Sequence, residues 1–352
     1  MHHPLRFLAG PEAMARIRAE GLHEDLFDVV AGASGGPKWL ALTRLDRAVF
    51  GRWFGARNRP LHLVGSSIGC WRFACVAQDD PVAACARFEE EYLRYRVEAP
   101  VTAARLTEDC RHLLRVILGE HGAAEILAHP AKRLSMLTVR GRGVMGRGHP
   151  AGLGAGLAAA ALANAVSRHT LPLFFERTLV HDARSLPPFD LHTGFATHAV
   201  PLTMGNLEAA LLATGAVPFV FEPVAGLDGA KPGLYLDGGI MDYHLDIPFR
   251  TPGLVLYPHF SDRIVPGWFD KGLRWRRPDR RNVARTLLLC PSREFLAALP
   301  HGKIPDRGDF KRIPTEERLR YWKRVVDETE RLADAFREVV ETGRIMDVVE
   351  AL

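Results

Sequence analysis

Gly65-Ser66-Ser67-Ile68-Gly69 sets a serine between two glycines, directly after the apolar run Leu61-His62-Leu63-Val64 and before residues 70–76, which can start a helix. A G-x-S-x-G in a strand, turn and helix is the arrangement that exposes a nucleophilic hydroxyl. Gly65 and Gly69 serve this turn because strand and helix approach so closely there that a Cβ on either would clash. The helix that follows aims its amide dipoles at negative charge developing near Ser67. The chemistry this serves is serine acyl hydrolysis. Ser66 is the competing hydroxyl, but its place in the motif turns its side chain away.

A serine needs a base and a set of oxyanion donors. Upstream, Ala31-Gly32-Ala33-Ser34-Gly35-Gly36-Pro37-Lys38 lies between an expected strand and an expected helix. Backbone N–H groups converge at such a turn and suit an oxyanion or a phosphate. Gly35 and Gly36 let their amides reach it unobstructed, and Lys38 can hold the loop or meet an anionic head group. A phosphate-binding P-loop is excluded, because Pro37 precedes Lys38 and Trp39 follows it; the spacing of Gly32, Gly152, Gly154 and Gly156 does not make a dinucleotide fingerprint either. Downstream, Leu234-Tyr235-Leu236-Asp237-Gly238-Gly239 puts an aspartate at the end of an apolar strand. It is expected to project from the carboxyl edge of the sheet, the edge that carries Ser67. Gly238 and Gly239 permit close approach, and partial burial would raise the carboxyl pKa toward that of a working base. A Ser–His–Asp triad with His244, His259 or His301 as relay is the alternative.

A glycine-rich loop, then Gly65-x-Ser67-x-Gly69, then Asp237-Gly238-Gly239 resembles the patatin-like phospholipases over about residues 26–245. The stretch Ala213-Thr214-Gly215-Ala216-Val217-Pro218, continuing through Pro223, is similar to the alanine- and proline-rich one that precedes that family's aspartate. The resemblance implies a metal-independent Ser–Asp dyad that hydrolyses lipid acyl esters, with Ser67 as nucleophile, Asp237 as base and the Gly35 and Gly36 amides as oxyanion hole. It implies no cofactor and a lipid or acyl-ester substrate. Two positions depart from the family pattern: Ser34 stands where the first of three glycines is usual, and Trp39 stands where a glycine follows the basic residue. Those departures leave room for a lipid- or partner-binding module with a degraded loop; an acyltransferase on the same scaffold is a separate alternative.

The elements that must carry these residues alternate strand, turn and helix, the rhythm of a mostly parallel sheet covered by helices on both faces. Strands are expected at 26–31, 61–64, 134–139, 173–180, 189–197, 233–236, 253–257 and 286–290. Helices are expected at 38–50 and 206–214, with a helical insertion over 81–127. A long amphipathic helix spans about 315–343, opened by Pro314-Thr315 and stopped by Gly343. The whole reads as a single α/β domain over residues 1–352, with its core at about 26–300.

With 352 residues, 47% hydrophobic and 25% charged, the composition is that of an ordinary globular chain. Residues 151–166 are apolar but too few to span a bilayer, so a buried, closely packed helix is expected there. Five cysteines without metal-ligand spacing read as reduced thiols, and no signal peptide is evident, so the expected compartment is the cytoplasm. The formal charge of +5 and the run Arg274-Trp275-Arg276-Arg277-Pro278-Asp279-Arg280-Arg281, near Trp268 and Phe269, suit a solvated basic loop or peripheral contact with an anionic membrane surface. The loop 140–148 has the same two readings. No nucleic-acid signature accompanies either segment.

Overall fold

The computed structural model describes residues 3–97, 101–192 and 194–352. Eleven strands among them join in one mixed sheet: β1 (Leu5–Ala9), β2 (Phe27–Gly32), β3 (Leu61–Ser66), β4 (Lys132–Gly141), β5 (Phe175–Asp182), β6 (Thr197–Leu202), β7 (Val224–Ala225), β8 (Leu234–Asp237), β9 (Leu254–Pro258), β10 (Thr286–Pro291) and β11 (Val349–Ala351). The order is β11-β1-β10-β9-β2-β3-β4-β5-β6, with β8 added to β4 and β7 to β8. The central run β10-β9-β2-β3-β4 is parallel, while β1 joins β10, and β5 and β8 join β4, in the antiparallel sense. Strands β5, β9 and β10 are buried at every residue, which is what helices on both faces of a largely parallel sheet produce.

One detail of register positions the chemistry. Along one side of β4, β3 pairs with residues 132–137 and ends with Ser66 opposite Leu137. On the next rung Asp237, the last residue of β8, lies opposite Thr138. Strands β3 and β8 therefore run head to head, and their carboxyl ends meet. Asp237 does not project from the same edge as Ser67, as the sequence suggested. It arrives from the opposite direction on an antiparallel strand.

The helix Ile68–Val76 is buried throughout; its sequence is apolar except for Arg72, whose guanidinium is paired inside the fold with Asp46 (2.8 and 2.6 Å). The insertion folds as Pro81–Arg94, capped by the Asp80 side chain, and Ala103–Leu118, capped by Thr102, followed by Gly122–Ala128. Residues 98–100 of the expected helical stretch lie outside the described residues. The helix expected over 38–50 is a 3-10 segment Gly36–Leu42 leading into Thr43–Ala48 and a wider turn Val49–Trp53.

Five expectations need correction. The strand expected over 189–197 (Thr193 lies outside the described residues) forms instead at Thr197–Leu202; Phe189 makes only an isolated bridge to Phe249. The single C-terminal helix is two, Thr315–Glu328 and Glu330–Thr342, because the Thr329 hydroxyl donates back to the Val326 carbonyl (2.7 Å) at the break. Gly343, left-handed at φ 67°, stops the second as expected. The apolar helix Pro150–Val166 is not buried all round: Gly156, Leu157, Ala160 and Asn164 face inward, while Leu162 is 74% and Val166 86% exposed. The basic run is only partly a free loop, since Arg276 donates to the Asn164 carbonyl (2.7 Å) and Arg281 pairs with Asp279. The 140–148 segment is built into the fold through Arg140 on Glu176 and the buried Met145. No helix among the described residues is long and apolar enough to cross a membrane.

Candidate active site

Ser67 caps the helix Ile68–Val76 from a strained backbone conformation, φ 55° and ψ −129°. For a residue with a Cβ such a conformation costs on the order of 1–3 kcal/mol and persists only where the surroundings impose it. Here Thr214 imposes it. Its hydroxyl accepts the Ser67 N–H (2.8 Å) and donates to the Leu137 carbonyl (2.5 Å), which ties the turn to the middle of β4. Glycine is required where the chain passes closest: a Cβ on Gly69 would lie 2.2 Å from the Gly32 carbonyl oxygen, and one on Gly238 2.0 Å from that of Leu137. Gly65 and Gly32 sit at the adjoining strand ends, opposite one another in register.

The Ser67 Oγ donates to Asp237 Oδ2 at 2.7 Å. The other carboxylate oxygen, Oδ1, accepts the Gly239 N–H at 2.7 Å. Asp237 is also held through its own amide, which donates to the Ala216 carbonyl (2.9 Å). Behind it Asp242 is clamped by the buried Arg177 from β5 at 2.8 and 2.5 Å, fixing the turn that follows β8. Burial raises the Asp237 pKa above its ordinary value; the Ser67 and Gly239 hydrogen bonds only partly offset this. The pair is 170 residues apart in sequence and in direct contact in space.

Both residues open onto a cavity of about 290 Å³ lined also by Gly35, Gly36, Lys38, Val217, Gly239 and Tyr243. Ser34, the departure from the glycine pattern, gives its amide to the Tyr243 carbonyl (2.9 Å) and its hydroxyl to Ser66 (3.1 Å), so it is a structural brace. The Gly35 and Gly36 N–H groups have no acceptor among the described residues and border the cavity. Trp39, the second departure, is a core residue: its ring stacks on Phe88 at 3.9 Å, away from the loop's amides. Lys38 lies over the Phe260 ring at 5.0 Å, and burial lowers its pKa.

The three histidines of the alternative triad are elsewhere. His244 and His259 are buried against each other, 4.3 Å between ring centroids. The His244 Nδ1 accepts the Val265 N–H and that of His259 the Ser261 N–H, and neither ring bonds to Ser67 or Asp237. His301 is exposed and packs edge-on against Tyr321. Thr214 was not singled out from the sequence as part of the site. Its only signal was membership of the 213–218 stretch, where a hydroxyl stands among alanine, glycine and valine.

The arrangement can transfer a proton from a serine to a carboxylate beside unpaired backbone amides. The family model of patatin-like phospholipase matches residues 41–245, more than half of the chain; it takes in Ser67 and Asp237 and begins after Gly35 and Gly36. Among solved structures, the chain is similar to VipD from Legionella pneumophila, at 13% identity and a TM-score of 0.39, covering 95% of this chain and 70% of that one. No curated protein matches in sequence.

Proposed function

This chain belongs to the patatin-like phospholipase family, a family of lipid acyl hydrolases, and we propose from that premise that it cleaves acyl esters of lipids through a Ser67–Asp237 dyad. The observation that supports this most directly is the 2.7 Å hydrogen bond from the Ser67 hydroxyl to the buried Asp237 carboxylate, which makes no ion pair among the described residues. Asp237 takes the hydroxyl proton as Ser67 attacks the ester carbonyl. The Gly35 and Gly36 amides and the first turn of the helix Ile68–Val76 stabilise the oxyanion. Collapse of the tetrahedral species expels the alcohol, which leaves with a proton returned by Asp237. Asp237 then activates water to release the acid from the acyl-enzyme. The cavity holds an ester and a few carbons only, so a long acyl chain would continue past Val217 toward the exposed Phe219 and the helix Pro150–Val166.

That outer surface supports peripheral contact with an anionic membrane. Leu162, Val166, Leu173, Phe219 and Trp275 are each more than 60% exposed. Arg274, Arg277 and Arg280, near Trp275 in sequence, are exposed and without ion pairs among the described residues. Apolar groups flanked by cations suit a charged lipid surface.

A fluorophosphonate probe tests the dyad. Covalent labelling mapped to Ser67, and lost in Ser67→Ala, is the expected result; absence of labelling at any pH where the protein is folded would leave a binding module as the better reading.

A further inference from the structure

The cavity wall opposite the dyad comes from outside the family-matched segment, and it is cationic. Arg307 reaches over the oxyanion loop: its guanidinium Nη2 lies 3.7 Å from where a Cβ on Gly36 would stand. Lys271 lies at the rim with its ammonium over the Tyr243 ring at 4.0 Å and the Trp268 ring at 5.6 Å. Lys38 completes the group from the loop itself, over Phe260. None of the three makes an ion pair among the described residues, and two rest on aromatic faces, which hold a cation in place without neutralising it.

Two carboxylates line the same cavity, and both are committed. Asp237 takes the Ser67 hydroxyl, and Asp306 takes Lys303 Nζ (2.7 Å) and the Gly308 N–H (2.6 Å). The loop that carries Arg307 is firmly built. Buried Asp309 accepts from Lys303, from the Trp322 indole (3.0 Å) and from the Asp306 N–H (2.9 Å), and the Tyr321 hydroxyl donates to the Lys303 carbonyl (2.7 Å). Both aromatic residues belong to the helix Thr315–Glu328, so the C-terminal helices hold this loop over the site.

We propose that Arg307, Lys271 and Lys38 form a subsite for an anionic group, a phosphate or carboxylate borne by the substrate next to the scissile ester, so that esters of anionic alcohols are preferred to neutral ones. This rests on the hydrolase reading above and deepens it. Lys38 and Lys271 are both pulled downward in pKa, chiefly by desolvation; Arg307 and Lys38 add to this at Lys271, while Asp306 partly offsets it at Lys38, and a bound anion would relieve the cost at both. A guanidinium also offers paired N–H donors in the geometry a phosphate or carboxylate accepts.

The test compares 1-butyrylglycerol with 1-butyrylglycerol 3-phosphate, using the full chain. The wild type is expected to favour the phosphate ester at least tenfold in kcat/KM. Arg307→Met should cut that preference about ten- to a hundredfold, chiefly through KM, the range expected for one charge-assisted contact; Arg307→Lys should restore part. Arg307 is exposed, so an unchanged melting temperature serves as the folding control. Equal use of the two esters by the wild type, or an equal loss on both in Arg307→Met, overturns the proposal. If neither ester is cleaved, the hydrolase reading has failed. Calorimetry with glycerol 3-phosphate then decides the subsite: binding lost in Arg307→Met upholds it, and no binding to the wild type overturns it. The source of the anion follows from repeating the comparison with oleoyl esters in phosphatidylcholine vesicles. Once the preference is seen with the soluble esters, its loss on vesicles points to a free anionic ester and its persistence or growth there to a lipid head group; either upholds the subsite.

Discussion

Asp237→Asn separates the dyad from every alternative. The substitution keeps side-chain volume and keeps an oxygen for the Gly239 N–H, but it turns the group facing Ser67 into one that cannot take a proton. General-base assistance contributes about 10²–10⁴-fold to such a step, which is roughly 3–5 kcal/mol at about 1.4 kcal/mol per tenfold. Because the carboxylate contacts Ser67 directly at 2.7 Å and no histidine reaches either group, no second base can take over. A loss of about 10³-fold or more in kcat on 4-nitrophenyl butyrate is expected. Stability should move the other way. Burial raises the Asp237 pKa, so its ionised form is a burden on the folded state at neutral pH that asparagine removes. Asp237→Asn should therefore melt at the same temperature as the wild type or higher. The same raised pKa sets the acid limb of kcat/KM: activity falls as pH drops through a value above the ordinary carboxylate one, because only ionised Asp237 accepts the proton. Turnover within fivefold of wild type, or a loss reproduced by His244→Ala in folded protein, would refute the dyad.

Three further outcomes follow from the same geometry. Thr214→Val deprives the Ser67 N–H and the Leu137 carbonyl of their Thr214 partner, a cost of about 2–6 kcal/mol at roughly 1–3 kcal/mol per orphaned group, read as a lower urea midpoint with reduced kcat; unchanged values would mean that Thr214 does not hold the turn. Acid should destabilise the fold before it protonates most carboxylates. Burial lowers His259 to about 3 and His244 well below 6.5, so the unfolded chain binds more protons than the folded one below pH 6.5. Stability is then full above pH 6.5 and should have dropped by about 2–4 kcal/mol at pH 5; a melting temperature constant between pH 7.5 and 5 would contradict this. Finally, Leu162→Ser with Trp275→Ala should weaken co-sedimentation with phosphatidylglycerol vesicles several-fold, whereas wild-type binding indifferent to anionic lipid would remove the membrane contact.

The central strands, the nucleophile turn and the aspartate were legible because their signals are local. An apolar run followed by glycine-spaced serine can be recognised without knowing its partners, and so can a strand ending in Asp-Gly-Gly. The edges of the sheet were not. β1 and β11 are five and three residues long, and what makes them strands is long-range pairing: β1 lies between β10, about 280 residues later, and β11, about 340 residues later. The burial of Pro150–Val166 was misjudged for a related reason. Periodicity cannot assign an inner face to a helix that is apolar all round; Asn164, which bonds to buried Asp270, marks it only once the fold is known.

The direction of β8 shows what a motif does and does not carry. Asp-Gly-Gly specifies an acid that a second chain can approach closely, and that is equally useful whether the strand runs with β3 or against it. The antiparallel solution has a consequence of its own. Because β3 and β8 share one side of β4 end to end, the backbone hydrogen bonds to Leu137 and Thr138 fix how far the two chain ends can be from one another. The serine–carboxylate distance is thus set by a strand that contributes no atom to the chemistry. It follows that Thr138, whose hydroxyl donates to the Leu236 carbonyl at 2.7 Å just before Asp237, is a positioning residue. Its loss would be felt in turnover before it was felt in binding.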